Sequence, residues 1–284
     1  MTLNIKDKIG VIGSRSLLVG KYLVFILFFL FTIFPLVWMF LTSFKKRNEI
    51  FSGGLIPEEF ILKNYKFVLL NLDLTNNLLN TTLVTVATVV LIVAFSTMAG
   101  YAFAKIDFPG NNILFLIFLA SLTIPPQVTL IPLFILLKRL ALLNTRVGLV
   151  FSYTGLGLAF SIFLMRSFFQ TLPSSLREAA LVDGASEFTI FLRIMLPLAK
   201  PGIATITIFQ FVYTWNEFMY ATTFINSDSL RTLQPSIRSL VGQYSTNWGA
   251  LTAAMVLAVF PLLVIFLVLQ RRVIEGLTAG AIKG

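Results

Sequence analysis

Six apolar runs of about 20 residues, near 22–43, 78–104, 111–131, 147–168, 201–225 and 249–270, with Arg166 and Glu217 their only charges, constrain this chain more than any other feature. Each is long enough to cross the hydrocarbon of a bilayer as a helix. In lipid, only a helix or a closed barrel satisfies every backbone N–H and C=O. The reading is an all-α polytopic membrane protein, one domain of six spans over 1–284. The first apolar run, Tyr22 to Leu41, is too long for a cleaved signal and no small-residue cleavage site follows it, so it is expected to remain as an anchor. Pro35, Pro125, Pro126, Pro132 and Pro261 interrupt spans, which a bilayer tolerates where neighbouring helices or water satisfy the freed carbonyls. Such kinks favour a channel-forming bundle over a plain anchor. The third span is the most broken, with Thr123-Ile124-Pro125-Pro126-Gln127 well across the bilayer, and the apolar stretch to Leu143 is expected to lie along the outer surface.

Of the 284 residues 57% are hydrophobic and 12% charged, more apolar surface than a soluble core needs. Absence of cysteine rules out disulfides and thiolate metal sites, and absence of histidine removes the usual general base and the commonest metal ligand. No catalytic or metal site is expected. No Gly-x-x-x-x-Gly-Lys-Ser/Thr loop is present to cradle nucleotide phosphates, so any ATP is expected on another polypeptide. The net charge of +10 is scattered through loops between spans, which fits anionic lipid headgroups better than nucleic acid.

Between the fourth and fifth runs lies a polar, helix-forming loop, about 170–200. Ser175 is expected to cap a helix, with Glu178 three residues on reaching back to the cap amide. Leu176, Ala179, Ala180 and Asp183 then share one face, where two alanines leave a shallow surface for another protein. Gly184 ends the helix. Ser186 starts a second one, whose Phe188, Phe191, Leu192 and Met195 fall at i, i+3, i+4 and i+7, and Pro197 is expected to force the residue before it out of helical geometry. The result is a helix-turn-helix elbow.

Glu178, Ala179, Ala180, Gly184, Ile194, Leu196 and Pro197 together resemble the EAA loop of ABC importer permeases. Trp215-Asn216-Glu217-Phe218, and the ending Gln270-Arg271-Arg272-Val273-Ile274-Glu275-Gly276-Leu277-Thr278-Ala279-Gly280, are similar to the oligosaccharide-uptake branch of that family, the maltose/maltodextrin type. The resemblance implies a six-span, type I importer permease working beside a second permease, two cytoplasmic ATPases that carry ATP and Mg, and an extracytoplasmic sugar-binding protein. It implies that the elbow, including Asp183, inserts into a cleft of an ATPase, and that the tail 271–284, with Gly276 and Gly280, reaches between the ATPase subunits; a disordered end is the competing reading of the tail. Lys and Arg number 12 on one side and 10 on the other, too even to orient the chain. The resemblance orients it, with the elbow and both termini cytoplasmic in a bacterial or archaeal plasma membrane.

In the fifth run Gln210, Tyr213, Thr214 and Glu217 recur at helical spacing, opposite Ile208, Phe211, Val212, Trp215 and Phe218. A carboxylate near mid-membrane costs about 2.5–3.5 kcal/mol on insertion scales, so the polar stripe is expected to face the bundle interior or a wet cavity. Gln210, Tyr213, Asn216 and Glu217 suit a sugar's hydroxyls and C–H face; equally, Asn216 and Glu217 suit a hydrogen bond to a partner helix. Gln127 is a further pathway candidate, although a kink without ligand contact is favoured for Pro125-Pro126-Gln127. An ion-coupled secondary transporter is the alternative function, but it needs coupling acids and Glu217 is the lone candidate within a span.

Overall fold

The computed structural model describes residues 5–242 and 245–281, with side chains described between Gly20 and Arg271. In chain order the elements are α1 (Ile5–Thr42), α2 (Glu49–Ser52), α3 (Lys63–Asn71), α4 (Leu74–Lys105), α5 (Asn111–Ser121), α6 (Pro126–Arg139), α7 (Arg146–Thr171), α8 (Ser175–Val182), α9 (Glu187–Ile190), a π-helical turn (Phe191–Met195), α10 (Leu196–Leu198), α11 (Lys200–Trp215), α12 (Met219–Phe224), a 3₁₀ turn (Asp228–Leu230), α13 (Leu233–Arg238) and α14 (Trp248–Ala281). Among the described residues, the only β pairing is an isolated bridge, Val241 to Thr246.

Four helices are long and apolar enough to cross a membrane singly: Gly20–Thr42 of α1, α4, α7, and Trp248–Arg271 of α14. The third expected span is a bent pair, α5 with α6 at 100°, and the helical stretch Glu187–Leu198 that precedes the fifth meets α11 at 75°. The first bend follows from Pro125-Pro126. A residue before proline is pushed out of the α region, and Pro125 sits extended at φ −59°, ψ 131°. The fifth span is shorter than the expected 201–225, because α11 stops at Trp215 and a separate α12 follows.

The chain forms two compact units, Met1–Val68 with Leu240–Val256, and Leu69–Ser239 with Leu257–Gly284. In the first unit, the apolar window of α1 is wholly unburied. Beyond α1, Asn64 Nδ2 donates to the carbonyls of Ser43 (2.9 Å) and Lys45 (3.0 Å), and the Tyr65 hydroxyl lies 2.8 Å from Ser43 Oγ. Phe44 packs among Phe40, Phe60 and Tyr65. A Cβ on Gly249 would stand 2.7 Å from Asn64 Nδ2, so glycine there lets α14 approach that turn.

In the second unit α4 lies along α7, and α11 packs against both. Glycine permits the close approach: a Cβ on Gly100 would fall 2.6 Å from Met165 Cβ and 2.9 Å from the Arg166 nitrogen. At one end of α4, Asn80 is fully buried, donating to the carbonyls of Ser229 (2.9 Å) and Arg231 (3.0 Å) and accepting from Arg146 Nε (2.9 Å). At the other, Tyr101, Met165, Phe169, Ala180, Ile190 and Met195 form the apolar cluster on which the elbow is built.

Candidate coupling elbow and transport groove

α8 is closed at its C-terminus by paired bonds from the Gly184 N–H to the Leu181 carbonyl and from the Ala185 N–H to the Ala180 carbonyl, both 3.0 Å. This Schellman arrangement places its first post-helical residue in the left-handed region, and Gly184 has φ +79°. Ser186 then caps α9, accepting from the Thr189 N–H at 3.3 Å.

The expected Ser175/Glu178 capping box does not form. Ser174 is the N-cap, already helical at φ −69°, ψ −25°, and no side chain caps α8. The Ser174 carbonyl takes the N–H groups of Arg177 (3.0 Å) and Glu178 (3.1 Å), while its hydroxyl faces Lys105 Nζ at 3.2 Å. An early entry into helix leaves Ser175 one position too late to cap. Pro197 also acts differently, since Leu196 before it remains helical at φ −64°, ψ −43°. The π turn makes room, with the Leu196 N–H reaching back five residues to the Phe191 carbonyl. A regular helix would drive the proline ring into the carbonyl four residues before it. The chain bends instead at Ala199 (φ −82°, ψ 4°), two residues before Pro201.

Of the elbow residues singled out, Ala180 is buried, Ile194 and Leu196 pack partly buried on the core, and Glu178, Ala179, Asp183, Gly184 and Pro197 are exposed. The shared face of Leu176, Ala179, Ala180 and Asp183 is therefore divided, with Ala180 turned inward. Apolar groups also stay open: Val182 is 88% exposed and Phe188 62%. Arg177 pairs with Glu187 through its guanidinium, Nε standing 3.3 Å from Oε2, and the Tyr101 hydroxyl donates to the same oxygen at 2.8 Å. The Arg177 hydrogen bond, with help from Tyr101 and against partial desolvation, holds the Glu187 carboxyl below the ordinary glutamate value.

The break after α11 is organised by Glu217. Its Oε1 accepts the Tyr220 N–H (2.9 Å), and its Oε2 accepts the Ala221 N–H (3.0 Å) and the Tyr153 hydroxyl (2.5 Å). A carboxylate facing the free amides of α12 is favoured by both hydrogen bonding and the helix dipole. The Tyr220 hydroxyl in turn donates to the Pro126 carbonyl (2.5 Å) and meets Thr129 Oγ (2.7 Å), tying this break to the one between α5 and α6.

A groove of about 410 Å³ runs among the α5–α6 bend, α7 and α11. Gln210 and Tyr213 line it together with Phe160 and Phe209, whose rings meet edge-on at 5.8 Å. Gln210 Nε2 is committed to the Gly157 carbonyl (3.2 Å) and Ser161 Oγ (2.9 Å). Thr214 and Glu217 turn instead towards a small polar recess with Thr81, Thr85, Tyr153 and Thr232. Asn216 is exposed and accepts from Gln234 Nε2 at 3.2 Å. Gln127 is exposed outside the groove.

The apolar side of α11, opposite the polar stripe, is partly covered. Phe211 and Trp215 are buried, stacked at 5.4 Å and 11°, and Trp215 Nε1 donates to the Ala258 carbonyl of α14 at 3.0 Å. Val212 and Phe218 remain exposed.

A family model described as the binding-protein-dependent transport system inner membrane component matches residues 93–278, from mid-α4 through the elbow, the groove and most of α14. The chain belongs to this family. Its relatives are permeases. The diacetylchitobiose uptake system permease protein NgcG of Streptomyces coelicolor is 33% identical over 274 residues, spanning 95% of this chain and 91% of its own. The probable starch degradation products transport system permease protein AmyC of Thermoanaerobacterium thermosulfurigenes is 34% identical over 276 residues, spanning 95% of this chain and 99% of its own. Among solved structures, a chain from a bacterial ABC transporter involved in the import of the acidic polysaccharide alginate superposes with TM-score 0.77 at 25% identity, covering 95% of this chain and 99% of that one.

This inner membrane component is thus a transport subunit of the ABC permease class and not a catalytic one. Sequence reasoning found Glu217 but missed its partners Tyr153 and Tyr220, and it missed Tyr101, Arg177 and Glu187 at the elbow. A signal existed for Tyr153: a hydroxyl within a span needs an acceptor, and Glu217 is an acid within a span. Gly276 and Gly280 fall in the last turns of α14, where their side-chain surroundings lie outside the described residues.

Proposed function

We propose that this chain is a transmembrane permease subunit of an ATP-driven, binding-protein-dependent oligosaccharide importer. It pairs with a second homologous permease, two cytoplasmic ATPases holding ATP and Mg, and an extracytoplasmic binding protein. The elbow docks on an ATPase, and both termini are cytoplasmic, in a bacterial or archaeal plasma membrane. The observation that carries the reading is the elbow itself. A helix pair anchored by Ala180, Ile190 and Met195 keeps Val182 and Phe188 open, apolar surface that a folded partner would cover. The oligosaccharide class is supported by the names of NgcG and AmyC, which act on diacetylchitobiose and starch degradation products. Gln210 and Tyr213, on the groove, are the best candidates in this chain for the sugar route, whereas Glu217 already has three partners within the chain.

The test is Gly184→Val. No atom lies within 4 Å of a Cβ at this position, so the cost is conformational: a left-handed L-residue costs about 1–2 kcal/mol, and β-branching adds to that. ATPase copurification or transport-stimulated hydrolysis should fall while membrane insertion persists. Unaltered ATPase attachment with full uptake would sink the coupling assignment. In vesicles holding all subunits, import should require ATP on the cytoplasmic face and survive collapse of proton and sodium gradients; loss of import with the gradient would favour an ion-coupled transporter.

A further inference from the structure

We propose that the last turns of α4 receive the elbow's movement, with Tyr101 as the positioning residue that links them. The inference rests on the elbow docking an ATPase. α8 is fastened to α4 twice, both times at its amino-terminal end. At its start, Lys105 Nζ donates to the Leu172 carbonyl (2.6 Å) and to Ser174 Oγ (3.2 Å). Beside it, the Tyr101 hydroxyl donates to Glu187 Oε2 of α9 (2.8 Å), and Glu187 holds Arg177, in the first turn of α8, across the Gly184 turn. Tyr101 and Lys105 are four residues apart, so both fastenings leave one face of α4. The Tyr101 ring is itself fixed, 3% exposed and packed on Phe169 of α7 (5.7 Å) and Phe191 of the π turn (5.4 Å). A push on α8 along this route reaches α4 through a charge-assisted hydrogen bond and through ring contacts, and α4 lies along α7 for most of its length. The direct covalent path through the 75° bend into α11 is, by contrast, interrupted at Ala199.

Tyr101→Phe separates the two parts of the link, because it keeps the ring and removes the hydroxyl. In vesicles containing the assembled transporter, ATPase attachment and hydrolysis should persist while sugar imported per ATP falls about tenfold, the order set by losing one hydrogen bond to a charged group. Glu187→Gln retains an oxygen for the hydroxyl and should keep more of that ratio than Glu187→Leu. Unchanged import per ATP in Tyr101→Phe, or hydrolysis and import falling together in both Glu187 variants, would overturn the proposal. Failure of the docking assignment reads differently: Gly184→Val would leave ATPase attachment intact whatever Tyr101→Phe does. Should Tyr101→Phe fail to assemble, the comparison of Glu187→Gln with Glu187→Leu decides alone, equal import per ATP counting against the link.

Discussion

Replacing Glu217 with alanine separates its role in organising this chain from a role in touching sugar. The substitution strands three donors: the N–H groups of Tyr220 and Ala221, and the hydroxyl of Tyr153, a residue only 2% exposed. Losing a helix cap costs about 1 kcal/mol, and a buried hydroxyl left without a partner costs about 1–3 kcal/mol. The sum is about 3 kcal/mol. For a domain of 150–250 residues each kcal/mol moves the midpoint by about 2–4 °C, so the variant should melt about 6–12 °C below the parent. The assay is thermal unfolding of the purified permease in detergent, followed by tryptophan fluorescence. Tyr153→Phe removes the stranded donor and should recover part of the loss, so the double variant should be less destabilised than the sum of the two singles. A Glu217→Ala protein that melts within about 1 °C of the parent and yet transports no sugar would refute the reasoning and return Glu217 to the substrate route.

Three further outcomes are expected. Ala141 occupies the left-handed position after α6 at φ +57°, with the Leu142 N–H bonded to the Leu137 carbonyl at 2.9 Å, so Ala141→Gly should relieve about 1 kcal/mol of strain and raise the same melting midpoint by about 2–4 °C; a fall would contradict that backbone geometry. Glu187 has its carboxyl below its unfolded value near 4.3, so its stabilisation of the elbow is complete above about pH 5 and is lost as pH falls through the lower folded value; proteolysis of the elbow should quicken as pH falls below that of the unfolded carboxyl, and Glu187→Gln should abolish that step. Single cysteines in this cysteine-free chain should react with a lipid-confined reagent at 212 and 218, with a water-soluble reagent at 213, and poorly at 211 and 215; equal reaction at 211 and 212 would show that α11 does not pack on α14 through Trp215.

The spans were legible because length and apolarity suffice to define a helix in lipid, and the α5–α6 bend was legible because Pro125-Pro126 carries its own steric rule. The end of α11 was not. Asn216 and Glu217 fit the helical pattern, and what stops the helix is a carboxylate drawn to Tyr153, 64 residues away in sequence. The orientation of α11 was half legible. Polarity marked Gln210 and Glu217 as interior, but apolar residues look alike whether lipid or another helix covers them, so Trp215 gave no sign that it meets α14. At the elbow, the Gly184 turn and the Ser186 cap followed from local chemistry. The cap of α8 did not follow: no side chain caps it, and the Ser174 hydroxyl meets Lys105, which reaches over from α4.

Placing Tyr153 before Glu217 in the chain has a consequence for biogenesis. Synthesis runs from the amino terminus, and segments can settle in that order. The acid therefore emerges after the phenol that will hold it, and the two amides it needs follow within four residues. A carboxylate that would be costly alone in the bilayer finds one partner already waiting and the others close behind. Exchanging the two residues, with the acid at 153 and the phenol at 217, would preserve the pair yet leave the charge unaccompanied until α11 arrived, a burden on the nascent chain that the finished fold would not reveal.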